Sequence, residues 1–309
     1  MIAVIILAAI VALVTLNRKG DRTFRSQVLD FEPDQVTLIE ITEPGQTDPL
    51  KLIKTDSSSW TVKTNDKEYI GDADAINNVL HMLDKMKTES VPARSEDKWE
   101  EYQVDEANGI RVSLYIDDKI IDEVLIGKFS YKVDDQQNAM VGARQNTKMT
   151  SYVRPVGEKN IYALDGLLRM NFTNGSSLYR NKNLVGKDFE ALEKLTFERP
   201  GARDELSLQD KKWTLNGQPA DSAATVKYLR SIAKMRNSGF IDTVSISGIE
   251  PIYRLTLEGG SFQPVLISAY PAADTLGVYY ITSSENPGSI WDGSKGKLFE
   301  KIFEFGDLR

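Results

Sequence analysis

Apolar and polar positions divide the chain into an apolar N-terminus and a long region of mixed patterning. Residues 2–16 are apolar except for Thr15, and Asn17, Arg18 and Lys19 end the run. A helix of this length spans about 22 Å, against roughly 30 Å for the hydrocarbon core of a bilayer. The run predicts membrane insertion or a signal sequence. Its anchor residues are Ile2, Ile5, Ile6, Leu7, Ile10, Val11, Leu13, Val14 and Leu16.

Two explanations fit the short length of this run. The bilayer can thin around a short helix while Arg18 and Lys19 extend to the interface. Alternatively, the start codon is assigned too late and a basic leader is missing. The nearby basic residues all follow the run, which by the positive-inside rule would keep the body of the protein cytoplasmic.

The region after residue 35 carries one pattern of elements twice. In each copy, two short strands lead into a third strand that contains Trp-Thr and an aliphatic residue, at Trp60 and at Trp213. An amphipathic helix follows, with Asp72 or Asp74 as the N-cap candidate in the first copy and Asp221 in the second. The repeated order predicts two copies of one structural unit.

A hairpin, a further strand and a short helix complete each copy. The hairpins turn at Asp117-Asp118 and at Gly259-Gly260, and such pairs favour tight turns. Arg111 and Arg254 occupy the same place in the two hairpins. The predicted segments are the strands 110–116, 120–127 and 151–153 with the helix 161–164, and the strands 253–257, 264–268 and 278–281 with the helix 295–303.

These patterns predict an α+β fold: two tandem copies of a unit of antiparallel sheet plus helix, preceded by one N-terminal transmembrane helix. The predicted organisation is a membrane anchor (1–19), a linker (20–35), a first repeat (36–170), an inter-repeat linker rich in Asn, Gly and Ser (171–187), and a second repeat (188–309).

Composition narrows the functional classes. With 41% hydrophobic and 27% charged residues in 309 positions, the chain is globular. A net charge of −7 without a long basic run argues against nucleic-acid binding. The absence of cysteine from the sequence excludes disulfides, thiolate metal sites and cysteine nucleophiles.

Motifs for catalysis are weak. The single histidine, His81, is predicted on the solvent face of its helix. Ser95 and Lys98 match S-x-x-K, but the S-D-N and K-T-G partners are absent from the sequence. Acidic pairs at 117–118, at 134–135 and near Glu285 and Asp292 are interpreted as solvated loops, since none has calcium-loop spacing. We predict neither metal nor cofactor.

The repeated aromatic and basic residues are predicted to be structural. Trp60 and Trp213 are expected to fill equivalent core positions, because large aromatics dominate core packing. Arg111 and Arg254 either pair with a carboxylate inside each unit or serve a partner in one copy. The sequence leaves these two roles open.

The order and duplication of these motifs resemble the bacterial domain-of-unknown-function family numbered 4340, over about residues 36–303. The likeness is carried by Trp60, Trp213, Asp72, Asp221, Arg111 and Arg254. The resemblance implies an envelope-facing protein with an N-terminal anchor, often encoded beside ABC-type transport systems similar to the gliding-motility transporter. It implies no catalytic residues, and it favours a single-pass protein of the bacterial inner membrane with its body in the periplasm.

Together these observations predict a non-catalytic interaction protein, an accessory subunit of an ABC-type transport system. Its expected partners are the membrane, a transporter permease and its ATPase. One alternative is a carrier that holds a lipid, glycan or peptide between the two repeats, since ligand sites favour domain interfaces. The other is a carboxylate-based hydrolase, which requires two carboxylates converging in one cleft.

Overall fold

The computed structural model describes residues 25–65, 67–133, 147–272 and 277–305, and residue 308. The predicted membrane anchor, the first five linker residues and the acidic pair at 134–135 lie outside the described residues. Within the described ranges, no helix is both long enough and apolar enough to cross a membrane.

The structure contains two antiparallel sheets with few helices. Among the described residues, the first sheet has nine strands in the order β4-β3-β2-β1-β6-β7-β8-β9-β5. Its strands are β1 (Leu38–Thr42), β2 (Leu50–Lys54), β3 (Trp60–Thr64), β4 (Lys67–Ile70), β5 (Ser90–Ala93), β6 (Ile110–Ile116), β7 (Lys119–Val133), β8 (Thr147–Pro155) and β9 (Ile161–Asp165).

The second sheet repeats this order with corresponding strands. Its eight strands in the described ranges are arranged β13-β12-β11-β10-β14-β15-β16-β17. They are β10 (Lys194–Arg199), β11 (Ala202–Gln209), β12 (Lys212–Leu215), β13 (Gln218–Pro219), β14 (Tyr253–Gly259), β15 (Phe262–Pro271), β16 (Tyr279–Ser283) and β17 (Trp291–Asp292).

Two twelve-residue helices occupy the same place in the two patterns, α1 (Ala73–Asp84) and α3 (Ser222–Ala233). Each buries one apolar stripe, as the 3.6-residue spacing predicts. The Asp221 side chain accepts a hydrogen bond from the Ala224 amide and caps α3. The shorter helices are α2 (Trp99–Tyr102) and α4 (Leu298–Phe303), and the 3-10 helices are Pro33–Gln35, Glu96–Lys98, Leu168–Asn171, Gly175–Leu178, Phe189–Ala191 and Lys295–Lys297.

The chain divides into two compact units. The first comprises the described residues up to Ser59 together with Asp74–Leu178, and the second comprises Trp60–Ala73 and Tyr179–Arg309. The β3–β4 hairpin therefore belongs to the second unit, although its strands are counted in the first sheet.

Backbone hydrogen bonds at the helix starts match between the two patterns. The Gly71 amide donates to the Trp60 carbonyl at 2.7 Å, and the Ala220 amide donates to the Trp213 carbonyl at 3.0 Å. The next amides, of Asp72 and Asp221, donate to the carbonyls of Tyr179 and Leu308. The segment that ends each pattern thus closes onto the start of its own helix.

Both predicted linkers contain core residues. In residues 25–35, Val28 and Leu29 are fully buried, and the Val28 amide donates to the Met86 carbonyl at 3.0 Å. In residues 171–187, Leu184 is equally buried and donates to the Met235 carbonyl at 2.9 Å. Each segment therefore pairs with the part of the chain that directly follows the helix of its own pattern.

Residues 161–164 form part of strand β9 and not the helix expected from the sequence. The four apolar residues Ile161, Tyr162, Ala163 and Leu164 are all buried between β8 and β5. Periodicity does not distinguish a short continuous apolar run in a buried strand from one in a buried helix. In the second pattern, by contrast, the expected final helix is present as α4.

Candidate functional site

Three exposed apolar side chains of the first unit lie together on the outer part of the β7–β8 hairpin. Phe129, Tyr131 and Met149 are 44%, 68% and 38% exposed. Tyr131 and Met149 are directly opposite each other in the ladder, and Phe129 is opposite Ser151. Residues opposite or two positions apart point to one face of a sheet, so the three side chains form one apolar face.

A bulge at the base of the hairpin sets this orientation. The register shifts between Ile126 and Phe129, and Gly127 lies within the shift. A Cβ on Gly127 would lie 2.2 Å from the Tyr102 carbonyl oxygen, so only glycine fits there. The extra residue allows Phe129 and Tyr131 to continue the face that Ile126 begins in the core.

Lysines occupy the opposite face of the same hairpin. Lys132 and Lys148 are direct cross-strand partners. Lys148 Nζ lies 2.8 Å from Glu89 Oε2, and this hydrogen bond raises the pKa of Lys148. Lys128 lies 5.0 Å above the Tyr102 ring. The outer hairpin is therefore amphipathic, and we call it the amphipathic hairpin, residues 128–133 and 147–152.

The corresponding part of the second sheet packs against α4. Pro271 is opposite Tyr279, as Phe129 is opposite Ser151 in the first unit. The Tyr279 ring stacks on Phe299 of α4 with centroids 4.1 Å apart and meets the Tyr253 ring edge-on at 5.3 Å. The residues at the same places in the first sheet, Ser151 and Ile110, are also buried, so the exposed residues Tyr131 and Met149 lie farther out along the strand pair.

A fully buried arginine forms a second notable cluster, within the second unit. The Arg180 guanidinium lies between the Tyr69 and Phe240 rings, 3.5 Å and 3.8 Å from their centroids. Its Nη1 donates to both carboxylate oxygens of Asp242 at 2.9 Å, and Nη2 donates to Ser289 Oγ at 3.1 Å. Cation–π contact and bidentate pairing compensate for burial of the charge.

The Tyr69 hydroxyl completes this cluster by donating to Asp242 Oδ1 at 3.1 Å. Burial and the neighbouring Asp242 carboxylate raise the pKa of Tyr69. The hydroxyl therefore remains a donor to Asp242. Held by Arg180 and Tyr69, Asp242 is placed to organise the loop that follows Phe240.

A cleft of about 590 Å³ lies beside the cluster in the second unit. This volume suits a small ligand. Asp242 and Tyr69 line it on the polar side, and aliphatic residues supply much of the remainder. Its lining is Lys67, Glu68, Tyr69, Ile241, Asp242, Val244, Ser245, Ile246, Ser247, Gly288 and Ile290.

The first unit has a buried arginine of its own. Arg154 is 2% exposed, and its guanidinium lies 3.7 Å from the Trp99 ring centroid. Arg154 Nε donates to the Val104 carbonyl at 2.9 Å, and Nη2 lies 3.3 Å from Glu106 Oε1. Burial lowers the pKa of Arg154 and outweighs the effect of Glu106. These contacts join β8 to the segment before β6.

Arg111 and Arg254 take different partners. Arg111 pairs with Glu106 and, at 3.2 Å, with Glu123, whereas Arg254 lies 3.5 Å from Glu250, which is almost fully exposed. In the first unit the repeated arginine thus belongs to a network that holds β6, β7 and the preceding turn together. In the second unit it forms a surface pair.

The repeated tryptophans also differ in burial. Trp60 is 3% exposed, and Trp213 is only partly buried against the core of the second unit. His81 is exposed on α1, as the position of the apolar stripe suggests.

The carboxylates considered for catalysis are on separate structures. Asp117 has a positive φ of 53° in the β6–β7 turn. Glu285 pairs with Lys187 at 2.9 Å, and Asp292 accepts from the Ser294 amide and hydroxyl. Within the described ranges, no group of three or more His, Cys, Asp or Glu side chains is placed to hold a metal ion.

Sequence reasoning missed both the amphipathic hairpin and Arg180. The hairpin had a visible signal, because Lys128, Ser130 and Lys132 alternate with Phe129 and Tyr131 at the period of a strand. Arg180 had none, since its partners Tyr69 and Asp242 are far away in sequence. It also lies in a stretch whose Asn, Gly and Ser content predicts a linker.

A comparison with family models matches residues 60–250 to the family described as Domain of unknown function (DUF4340). The chain belongs to this family. The resemblance drawn from the paired tryptophan strands and capped helices is thereby confirmed. Comparison with curated proteins and with solved structures gave no match.

Proposed function

We propose that this DUF4340 protein is a non-catalytic interaction protein held at a membrane, where it serves as an accessory subunit of an ABC-type transport system. The observation that carries the proposal is the amphipathic hairpin, which exposes Phe129, Tyr131 and Met149 together. Contiguous exposed apolar surface marks sites of contact with proteins or membranes. The transporter as partner comes from what the family resemblance implies.

The proposal includes an architecture: one transmembrane helix in residues 1–19, followed by two tandem copies of one α+β unit with the body on the periplasmic side. The matching strand orders and the matching hydrogen bonds at Gly71 and Ala220 support the duplication. The apolar run at residues 2–16 supports the anchor.

The contacts of the two buried arginines support a structural role for these charges. Arg154 and Arg180 are each stacked on aromatic rings and paired with carboxylates. Removing one partner from such an arrangement destabilises a protein strongly. The buried charges therefore support the packing of each unit.

Affinity purification tests the proposed partner. The tagged full chain is crosslinked in its host, solubilised in mild detergent and analysed by mass spectrometry. We expect co-purification of a permease and its ATPase. Phe129→Ser, Tyr131→Ser and Met149→Ser combined should reduce this recovery, because the hairpin then no longer holds the body against the membrane beside the transporter, while Ile120→Ser, at a similarly exposed apolar position, should not. Recovery of the chain without any membrane protein would overturn the transporter assignment.

A carrier is the second candidate, and the cleft beside Asp242 favours it. Native mass spectrometry of the detergent-purified full chain would detect a bound lipid, glycan or peptide. Ser247→Trp, which places a large side chain at the cleft lining, should remove the added mass. A full chain of unmodified mass would count against the carrier.

A further inference from the structure

We infer that the amphipathic hairpin binds the interfacial region of an anionic lipid bilayer. Its apolar face would enter the boundary between headgroups and acyl chains, and its lysines would contact lipid phosphates. The inference rests on the proposed location of the body at a membrane, and it names the surface that touches the lipid.

The two faces of the hairpin have the composition of an interfacial element. Phe129, Tyr131 and Met149 form one face, and Lys132 and Lys148 lie on the other. Aromatic residues favour the headgroup level, and the long lysine side chains of the other face can extend past the strands to the phosphates. Amphipathic segments with this division of residues lie in the plane of the interface.

The charge of the hairpin opposes that of the whole chain. The segments 128–133 and 147–152 contain three lysines and neither Asp nor Glu, although the chain has a net charge of −7. Like charges directly opposite in a ladder destabilise a sheet, and Lys132 and Lys148 are such a pair. Glu89 pairs with Lys148 at 2.8 Å and so offsets one charge of this pair. An anionic surface would attract the positive charge that Lys128 and Lys132 add to the hairpin.

Lipid fits these residues better than a protein surface does. The centres of protein–protein interfaces are enriched in Tyr, Phe and Met but depleted of Lys. Here Lys128 lies over the Tyr102 ring, which packs edge-on against the Tyr152 ring with centroids 4.7 Å apart. The lysine face therefore also contains aromatic rings. The same strands therefore present both the apolar and the cationic component of a membrane-binding surface.

Site-specific labelling provides a direct test, because the sequence contains no cysteine and each introduced cysteine is unique. The full chain carrying Tyr131→Cys or Leu266→Cys is labelled with the fluorophore NBD and reconstituted into vesicles. The vesicles contain phosphatidylcholine, with or without phosphatidylglycerol and acyl-chain spin-labelled lipid. Leu266 is a matched control, 40% exposed on a strand of the second unit.

We expect the label at position 131 to shift to the blue and to be quenched in vesicles with phosphatidylglycerol, and the label at 266 to be unaffected. Lys132→Gln should lower the ratio of lipid-contacting to free hairpin roughly fivefold, and Lys148→Gln should lower it less, because Glu89 already pairs with Lys148. Unchanged melting temperatures would show that the variants fold. Equal quenching at positions 131 and 266 would overturn the inference.

A second measurement separates this inference from the proposed function. Benzoylphenylalanine at position 131 is photo-activated in cells expressing the full chain. Adducts with a protein, together with an unquenched label in vesicles, would replace lipid by a protein partner and leave the transporter assignment intact. Lipid quenching in a chain that co-purifies with no transporter would support the inference and overturn the proposed function.

Discussion

The two sheets share a strand order but differ in the strand pairs β7–β8 and β15–β16. In the second sheet, α4 places Phe299 against Tyr279, and β15 has ten residues. In the first unit, β7 continues for fifteen residues and presents Phe129 and Tyr131 uncovered. The strand order is the same in both sheets, so the length of a strand pair and the exposure of its outer side chains can change without a change in topology.

The buried arginines provide a second contrast. Arg154 stabilises the first unit through backbone carbonyls, Trp99 and Glu106. Arg180 stabilises the second through two aromatic rings and a bidentate carboxylate. In both, stacking on aromatic rings and pairing with a carboxylate offset the cost of burying a cation. They occupy different places, which indicates that the two units were stabilised independently around a common scaffold.

The largest expected effect compares a buried side chain of α4 with an exposed side chain of the hairpin. Phe303→Ala removes a side chain that is only 7% exposed and should lower the free energy of unfolding by about 4 kcal/mol. Phe129→Ala, at an exposed position, should lower it by less than about 0.5 kcal/mol. Urea titration of the full chain monitored by circular dichroism measures both. Similar losses of unfolding free energy in the two variants would show that Phe129 is packed against other residues and is not exposed.

The next effect concerns the Arg180 cluster. Asp242→Ala leaves a buried cation without its carboxylate, and we expect a loss of about 3 kcal/mol, at the low end for a buried pair because the Asp242 side chain is 43% exposed. Adding Arg180→Met removes the unpaired charge and should recover part of this loss in the same titration. A double variant less stable than Asp242→Ala would contradict the pairing argument.

A smaller effect compares the two helix starts. Asp221→Ala removes the cap of α3 and should cost about 1 kcal/mol. Asp72→Ala should cost more, because the Asp72 carboxylate also lies 2.9 Å from Arg236 Nη2. Thermal unfolding of both variants checks this order, and Ser222→Ala, at the neighbouring position that does not cap the helix, is the control. If Asp221→Ala costs more than Asp72→Ala, the ion pair contributes nothing.

The last effect is confined to alkaline pH and concerns the first unit. Burial and a hydrogen bond to Glu40 raise the pKa of Tyr115 from 10.0 to about 12. Since the folded state holds this proton more tightly, the stabilisation is complete below pH 10 and is lost as the pH rises through about 12. Tyrosinate absorbance and urea titration should show this component in the wild-type chain but not in Tyr115→Phe. An unchanged profile in that variant would exclude the bond.

Much of the fold followed from local patterns. Paired strands around Trp60 and Trp213, two amphipathic helices and two hairpins were predictable, because alternation and 3.6-residue spacing report burial directly. The strand at 161–164 was not, since a short apolar run is compatible with either element. The packed segments around Val28 and Leu184 were also hidden, because their partners Met86 and Met235 are distant in sequence.

The sequence by itself determined the order of elements, the family membership through its repeated motifs, and the lack of cysteine chemistry, because each depends on residue type and spacing alone. Only the tertiary structure decided that Arg180 is enclosed by Tyr69, Phe240 and Asp242 and that the hairpin at Tyr131 is uncovered. Burial depends on which distant segment packs against a given face, and neither the alternation of residues nor their spacing specifies that contact.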